Sequence, residues 1–287
     1  MITTDLHDTA TPTAALTDQV ACLDLITDTR LERLRHEVLT VPADWQISYE
    51  EYQSGGWATL SLLNGSGDPA DVTITDCQRP MATSLLERMP ATRALLDELG
   101  LSYMWVRLAR LDGNAFLWEH RDYTELDAVE RYRLHLPILT NSSAYLVTGG
   151  MAVHMTAGLW WRLTPTYAHG VCNLRGPQRI HLIADCYDDE AMRRLTAGAH
   201  LPETGVRVLP AATDDDLFQH ARTAADLAAL GWVQAAERSL LQLTYRYALP
   251  EGDAYDMISD LHAGRGDAAA AAAWQAKKTL MLTGVRA

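Results

Sequence analysis

Apolar positions follow two regimes along this chain. Between residues 102 and 187 they form short runs rich in aromatic and branched residues. These are "SYMWVRLARL", "NAFLWEH", "RYRLHLPIL", "SAYLVTGG", "GLWWRL" and "QRIHLIADC", with Gly, Asn, Ser or Pro between them. Such a series predicts the strands of an antiparallel sandwich or barrel. Beyond about residue 200 the period becomes helical, in "DDDLFQHARTAADLAAL", "VQAAERSLLQLTYRYAL", "DAYDMISDLHAG" and "DAAAAAAWQAKKTLML". Asp253 and Asp267 are candidate N-caps, and the Ala run 268–273 is a strong helix former. Ahead of the β region, "LERLRHEVLT" (31–40) predicts a short amphipathic helix, and "GWATLSLLNGSGDPAD" (56–71) a strand that runs into a turn. Residues 81–100 predict a helix broken near Pro90 and closed by Gly100. Residues 1–17 read as a loose polar tail and 201–216 as a linker. The expected layout is a β-rich domain over 18–200 and an all-helical domain over 201–287.

Composition narrows the partners. The 287 residues suffice for one large core, or for a core and a smaller companion. A formal net charge of −13 repels phosphate backbones and anionic membrane surfaces, so neither nucleic acid nor membrane is expected as a partner. The stretch "MITTDLHDTATPTAALTDQ" has no basic start and no apolar core, so no signal peptide is expected. No apolar run reaches the roughly 18 residues a membrane span needs. Cys22, Cys77, Cys172 and Cys186 form no C-x-x-C pair, and the expectation is four free buried thiols in a reducing cytoplasm.

Candidate chemistry centres on "WEHRDYTELD" (118–127). In an extended segment His120 and Asp122 share a face and offer two ligands to one ion. An H-x-D triplet alone is equally a solvated strand end. His169 lies 47 positions after Asp122, a spacing across which antiparallel strands can return it to the same place. Two His and one carboxylate leave positions open on an octahedral iron, as in non-haem Fe(II) oxygenases. Arg179, ten positions after His169, is a basic residue in an apolar strand. Its planar fork suits a carboxylate, of a ligand or of Asp185. Arg131, Arg133 and His135 stand at alternate positions of one strand, either surrounding an acid or facing solvent. Taken together, these residues specify a metal with open positions beside a dicarboxylate, inside a β core.

The block "RLARLDGNAFLWEHRDYTELD…RYRLHLPILTN…GLWWRLTPTYAHGVCNLRGPQRIHLIADC" resembles the aspartyl/asparaginyl β-hydroxylase family of Fe(II)/2-oxoglutarate oxygenases, and within it the bacterial free-proline hydroxylase branch. The resemblance covers about residues 20–285 and is densest over 107–186. It implies a mixed α+β fold: a double-stranded β-helix (jelly roll) with flanking N-terminal helices and a helical C-terminal domain. It implies His120, Asp122 and His169 as iron ligands and Arg179, Arg133 and His135 as 2-oxoglutarate contacts, with O2 as the third reactant. Arg131 matches a substrate-facing position in some members. Glu119 stands where the family usually has Pro, and Thr164 where the proline branch usually has Asp. For the substrate, Arg110 or Arg131 is the candidate for a carboxylate, Glu119 for an amine and Trp118 for an apolar wall. The expected function is hydroxylation of a free or carrier-bound small amino acid, proline-like or another, in specialised metabolism. A homodimer and a carrier protein are open as partners. Two alternatives stand beside this: a hydroxylase of Asp, Asn or His within proteins, and a non-catalytic jelly-roll metal-binding module.

Overall fold

The computed structural model describes residues 12–124, 126 and 129–284. The expected tail therefore lies outside the described residues up to position 11, and so do three residues of the 121–128 turn. From Pro12 the chain is already helical. In order, the elements are α1 (Pro12–Gln19), β1 (Val20–Leu25), α2 (Asp28–Thr40), β2 (Gln46–Ile47), β3 (Trp57–Asn64), β4 (Met81–Ala82), α3 (Ser84–Glu87), α4 (Pro90–Leu99) and β5 (Tyr103–Leu111). Then follow β6 (Ala115–His120), β7 (Arg131–Leu139), β8 (Ala144–Thr148), β9 (Met151–Val153), β10 (Leu159–Leu163), β11 (His169–Asn173), β12 (Arg179–Tyr187) and α5 (Glu190–Thr196). The C-terminal part holds β13 (Val206–Val208), α6 (Asp214–Ala229), α7 (Val233–Leu241), α8 (Asp253–Gly264) and α9 (Ala268–Thr283).

The strands form two antiparallel sheets. The larger runs β1-β10-β7-β12-β5-β3-β2, with β4 added on β3; the smaller runs β13-β9-β8-β11-β6. From β5 to β12 the chain crosses between the sheets so that β10, β7, β12 and β5 face β9, β8, β11 and β6. That order defines a double-stranded β-helix, as the family resemblance implied. Side-chain parity then sets the layers. On the larger sheet Val106, Leu108, Leu134, Leu136, Leu182 and Ala184 pack with Leu34, Leu86, Met89 and Met192 of the helices on its outer face. The odd positions, among them Arg107, Arg133, His135, Arg179 and His181, line the barrel interior instead. Polar residues in these strands are thus buried inside the barrel, which excludes a solvated face for Arg133 and His135.

A second core covers the smaller sheet. Phe116, Val147, Ala152 and Cys172 pack under Leu240, Tyr245, Tyr255, Ile258 and Trp274 of the C-terminal helices. The stretch expected as a linker instead adds β13 to β9 and buries Leu209. Local signals account for most helix ends. Thr213 and Asp216 form a capping box on α6, Asp267 caps α9, and Gly100 ends α4 at φ 60°. Asp253 is not a cap: Gly252, at φ 84°, holds that position and Asp253 starts the helix. Met81 and Ala82, expected as helix, pair with β3. Cys22, Cys172 and Cys186 are buried free thiols; Cys77 is free but only half-buried. No described helix is long and apolar enough to cross a membrane.

Candidate active site

His120 and His169 end up opposite each other because β6 and β11 pair with a one-residue bulge. His169 aligns with His120, but Val171 aligns with Leu117. Leu117 points into the barrel; strict alternation would send Glu119 in after it, and the bulge sends His120 in its place. The chain then leaves the strand. The Asp122 N–H donates to the Pro165 carbonyl at 2.8 Å, and Tyr123 follows in the left-handed region at φ 65°. That turn brings Asp122 Oδ2 to 3.8 Å from His120 Nε2 and 3.5 Å from His169 Nε2. The three side chains are buried, with one ligand atom from each lying within 4.8 Å of the others.

Hydrogen bonds fix both imidazole tautomers. His120 Nδ1 donates to the Trp118 carbonyl at 2.6 Å and His169 Nδ1 to the Tyr167 carbonyl at 2.9 Å. A carbonyl only accepts, so Nδ1 carries a proton in each ring and Nε2 is the atom turned toward the cluster, the one available as a ligand. Burial, then the neighbouring His169, lowers His120 to about 4, so it stays neutral. Burial by itself would raise the Asp122 carboxyl; Arg133, with His120 and His169, outweighs it and holds the group well below its ordinary range.

Arg133 bridges two acids. Its Nη1 donates to Asp122 Oδ2 and its Nε to Asp185 Oδ1 at 2.6 Å. Asp185, fully buried, also accepts from Arg107 Nη1 at 2.5 Å and from the Tyr123 hydroxyl at 2.6 Å. Arg179 is different. It is 1% exposed, stacks on Trp57 at 5.4 Å, and leaves Nε and Nη1 without a hydrogen-bond partner. The alternative pairing with Asp185 is not made. Burial without an anion pushes this guanidinium down to about 9. Beside it His135 and His181 share a proton between Nδ1 atoms 3.4 Å apart, and both Nε2 atoms are unpartnered. Burial and the surrounding arginines hold both imidazoles neutral. All these groups except Asp185 and Tyr123 line one cavity, whose apolar wall includes Leu117, Leu146, Met155 and Ile183.

The structure thus brings His120, Asp122, His169, Arg133, His135 and Arg179 together. It does not bring in the four residues expected at the substrate. Arg110 has the opposite parity to Arg107 on β5; it pairs with Asp112 at 3.0 Å and stacks on Trp45. Trp118 packs outward on Trp274, Tyr255 and the Lys277 ammonium. Glu119 turns out of the barrel and accepts from the Gly252 N–H at 2.8 Å; burial raises its carboxyl to about 7. Arg131 binds Asp76 at 2.8 Å, one layer beyond the cavity. Sequence reasoning missed Arg107, His181, Tyr123 and Tyr49, the last also lining the cavity, and named Asp185 only as a partner for Arg179. Parity was the available signal: Arg107 interrupts an apolar strand, and His181 and Asp185 share a face with Arg179.

A double-stranded β-helix with a buried His, Asp, His cluster in its mouth is the class that fold and site define. Residues 27–189 match the sequence model of the aspartyl/asparaginyl beta-hydroxylase family, and the chain belongs to that family. A curated relative, L-proline cis-4-hydroxylase of Rhizobium meliloti (strain 1021), is 28% identical over 157 residues, which is 53% of this chain and 56% of that protein. The chain thus matches little more than half the length of that relative. Similar solved structures include a 2OG-Fe(II) oxygenase family oxidoreductase from Burkholderia pseudomallei, 12% identical with a TM-score of 0.44 over 59% of this chain and 86% of the other. A Pseudomonas putida prolyl-4-hydroxylase is 15% identical with a TM-score of 0.41 over 61% and 98%.

Proposed function

We propose that this chain is an Fe(II)- and 2-oxoglutarate-dependent oxygenase that hydroxylates an unactivated C–H bond of a small amino acid. The observation that carries this is one cavity holding both a buried His, Asp, His cluster and an arginine with no anion of its own among the described residues. The residues fit the two groups. His120, Asp122 and His169 offer two imidazole nitrogens and one carboxylate, a donor set suited to Fe(II) with positions left open. Arg179, Trp57 and the His135–His181 pair form a deep cationic end suited to the far carboxylate of 2-oxoglutarate. When bound, these groups supply the oxidation: O2 and 2-oxoglutarate are consumed, one oxygen atom enters the C–H bond, and succinate and CO2 leave.

The chain's own residues bind, orient and exclude water. Arg133 orients Asp122 and neutralises it; Asp185 fixes both Arg133 and Arg107. Arg107, Arg133 and Arg179 against Asp122 and Asp185 leave an excess of one positive charge among these groups. A divalent cation and a dicarboxylate together add none. That excess suits a ligand carrying a carboxylate, and the likeness to L-proline cis-4-hydroxylase supports a small amino acid as the substrate. A free amino acid as substrate, a cytoplasmic setting and a place in specialised metabolism belong to the same proposal. The four unpaired thiols agree with a reducing compartment.

The test is a mass-spectrometric screen of the purified chain with Fe(II), 2-oxoglutarate and a panel of free amino acids. An oxygen atom gained by one of them, and lost with His120→Ala or Asp122→Ala, is the expected result. Hydroxylation of a peptide or a carrier-bound acyl group but of no free amino acid would overturn the substrate claim.

A further inference from the structure

β6 carries His120 on its last residue, yet it is an edge strand of the smaller sheet. An edge strand leaves backbone groups unpaired and is the least constrained place in a sheet. Gln53 and Ser54 pair with Leu117 and Phe116 in the first half of that edge; around the bulge, from the Leu117 carbonyl to Arg121, the C-terminal residues take up the rest. The Tyr245 hydroxyl donates to the Leu117 carbonyl, and the Tyr255 hydroxyl to the Glu119 carbonyl at 2.6 Å. The Gly252 N–H, at the start of α8, holds the Glu119 carboxyl at 2.8 Å. The Arg121 N–H donates to the Met281 carbonyl at the end of α9 at 2.9 Å, and its guanidinium binds Glu251 at 2.6 Å. Trp118 sits among Tyr255, Trp274 and Lys277. Positions 117, 118, 119 and 121 are therefore all tied to the helical layer, and His120 is the one between them that faces the cavity.

Apolar packing alone would not demand this. Tyr245 and Tyr255 are almost completely buried, and each directs its only polar atom to a carbonyl within three residues of His120. Two polar bonds at the bulge specify where the strand lies along its own axis, which non-directional packing cannot do. We propose that the C-terminal helical layer positions the metal site, and that Tyr255 and Tyr245 are positioning residues acting through the backbone of the ligand strand. This rests on the reading of His120, Asp122 and His169 as metal ligands.

The experiment titrates the full-length protein with Co(II) alone, following the ligand-field absorption, for wild type, Tyr255→Phe, Tyr245→Phe and Ile258→Val. Ile258 is buried in α8 and its trimming leaves the hydrogen bonds to β6 intact. Each Tyr→Phe change should weaken Co(II) binding about ten-fold, the lower end for an outer-sphere partner, and alter the spectrum. Ile258→Val should lower the melting temperature and leave affinity and spectrum unchanged. Wild-type affinity and spectrum in both tyrosine variants would overturn the inference and leave the metal site standing. Affinity that falls in all three variants in step with melting temperature would also overturn it, since the layer would then be scaffold only. No Co(II) uptake by wild type would sink the metal site itself, and this inference with it. Two independent tyrosines keep the test open if one variant fails to fold.

Discussion

Arg179→Met separates what this residue does for the fold from what it does for a ligand. The guanidinium is 1% exposed with no ion-pair partner among the described residues. Lowering it from 12.5 to about 9 corresponds to roughly 5 kcal/mol against the charged form, at about 1.36 kcal/mol per pH unit. The stack on Trp57 returns part of that, so the net cost of keeping the charge is on the order of 1–4 kcal/mol, the range seen when buried charges are replaced by apolar residues. Met keeps the stem and removes the charge. The chelator-treated, ligand-free variant should therefore melt higher than wild type. At about 2–4 °C per kcal/mol for a chain of this size, the rise is roughly 2–16 °C. The same change should weaken 2-oxoglutarate binding, measured by calorimetry on the Mn(II)-loaded protein, by about 100-fold or more, because a dicarboxylate would lose its charge-assisted bonds. A lower melting point in ligand-free Arg179→Met would refute the reasoning, since it would mean the arginine is satisfied by the fold. Unchanged 2-oxoglutarate affinity would refute its role as the clamp.

Three further outcomes follow from the same geometry. Asp185→Asn leaves Arg107 and Arg133 short of one charge in a sealed layer and should cost about 3–5 kcal/mol, read as a drop in melting temperature of roughly 6 °C or more; a drop within error would show that the network is dispensable. His120, His135 and His181 are held neutral, below the 6.5 expected of the unfolded chain, so protons bind the unfolded state first as pH falls. Metal-free stability should then fall below about pH 6.5, by roughly 1.4 kcal/mol per histidine at pH 5.5, with the loss from His120 continuing toward pH 4; thermal melts that hold constant from pH 7.5 to 5.5 would contradict their neutrality. Trp118→Leu should lower the melting temperature and leave the preference among amino acids unchanged, because the ring packs on the helices; a changed product profile would return Trp118 to the substrate wall.

The architecture was legible because its signals are local. The alternation in "RYRLHLPIL" separates Leu134, Leu136 and Ile138, which meet the helices, from Arg133 and His135, which meet the cavity. Turn residues mark most strand ends, and Asp267 caps α9 as expected. The short strands were not legible. Met151–Val153, His169–Asn173 and Val206–Val208 are too brief to carry a period, and only pairing with longer strands defines them.

At the site the clustering of His120, Asp122 and His169 was legible and the direction of the neighbouring side chains was not, and one physical cause explains both. His120, Asp122 and His169 carry chemistry that a spacing can suggest without any knowledge of direction. Arg110, Trp118, Glu119 and Arg131 were assigned on proximity in sequence, and proximity does not say which way a side chain points. Around His120 the direction is set by a bulge whose extra residue lies between Leu117 and His120. The bulge reverses the alternation within three positions and sends Glu119 outward with Trp118. A bulge depends on the partner strand and on the groups that absorb its unpaired carbonyls, here Tyr245 and Tyr255, more than 120 residues further along the chain. Glu119, at the position where the resemblance leads one to expect Pro, then has a structural reading: its carboxylate receives the N–H at the start of α8, so this position joins the β core to the C-terminal helices.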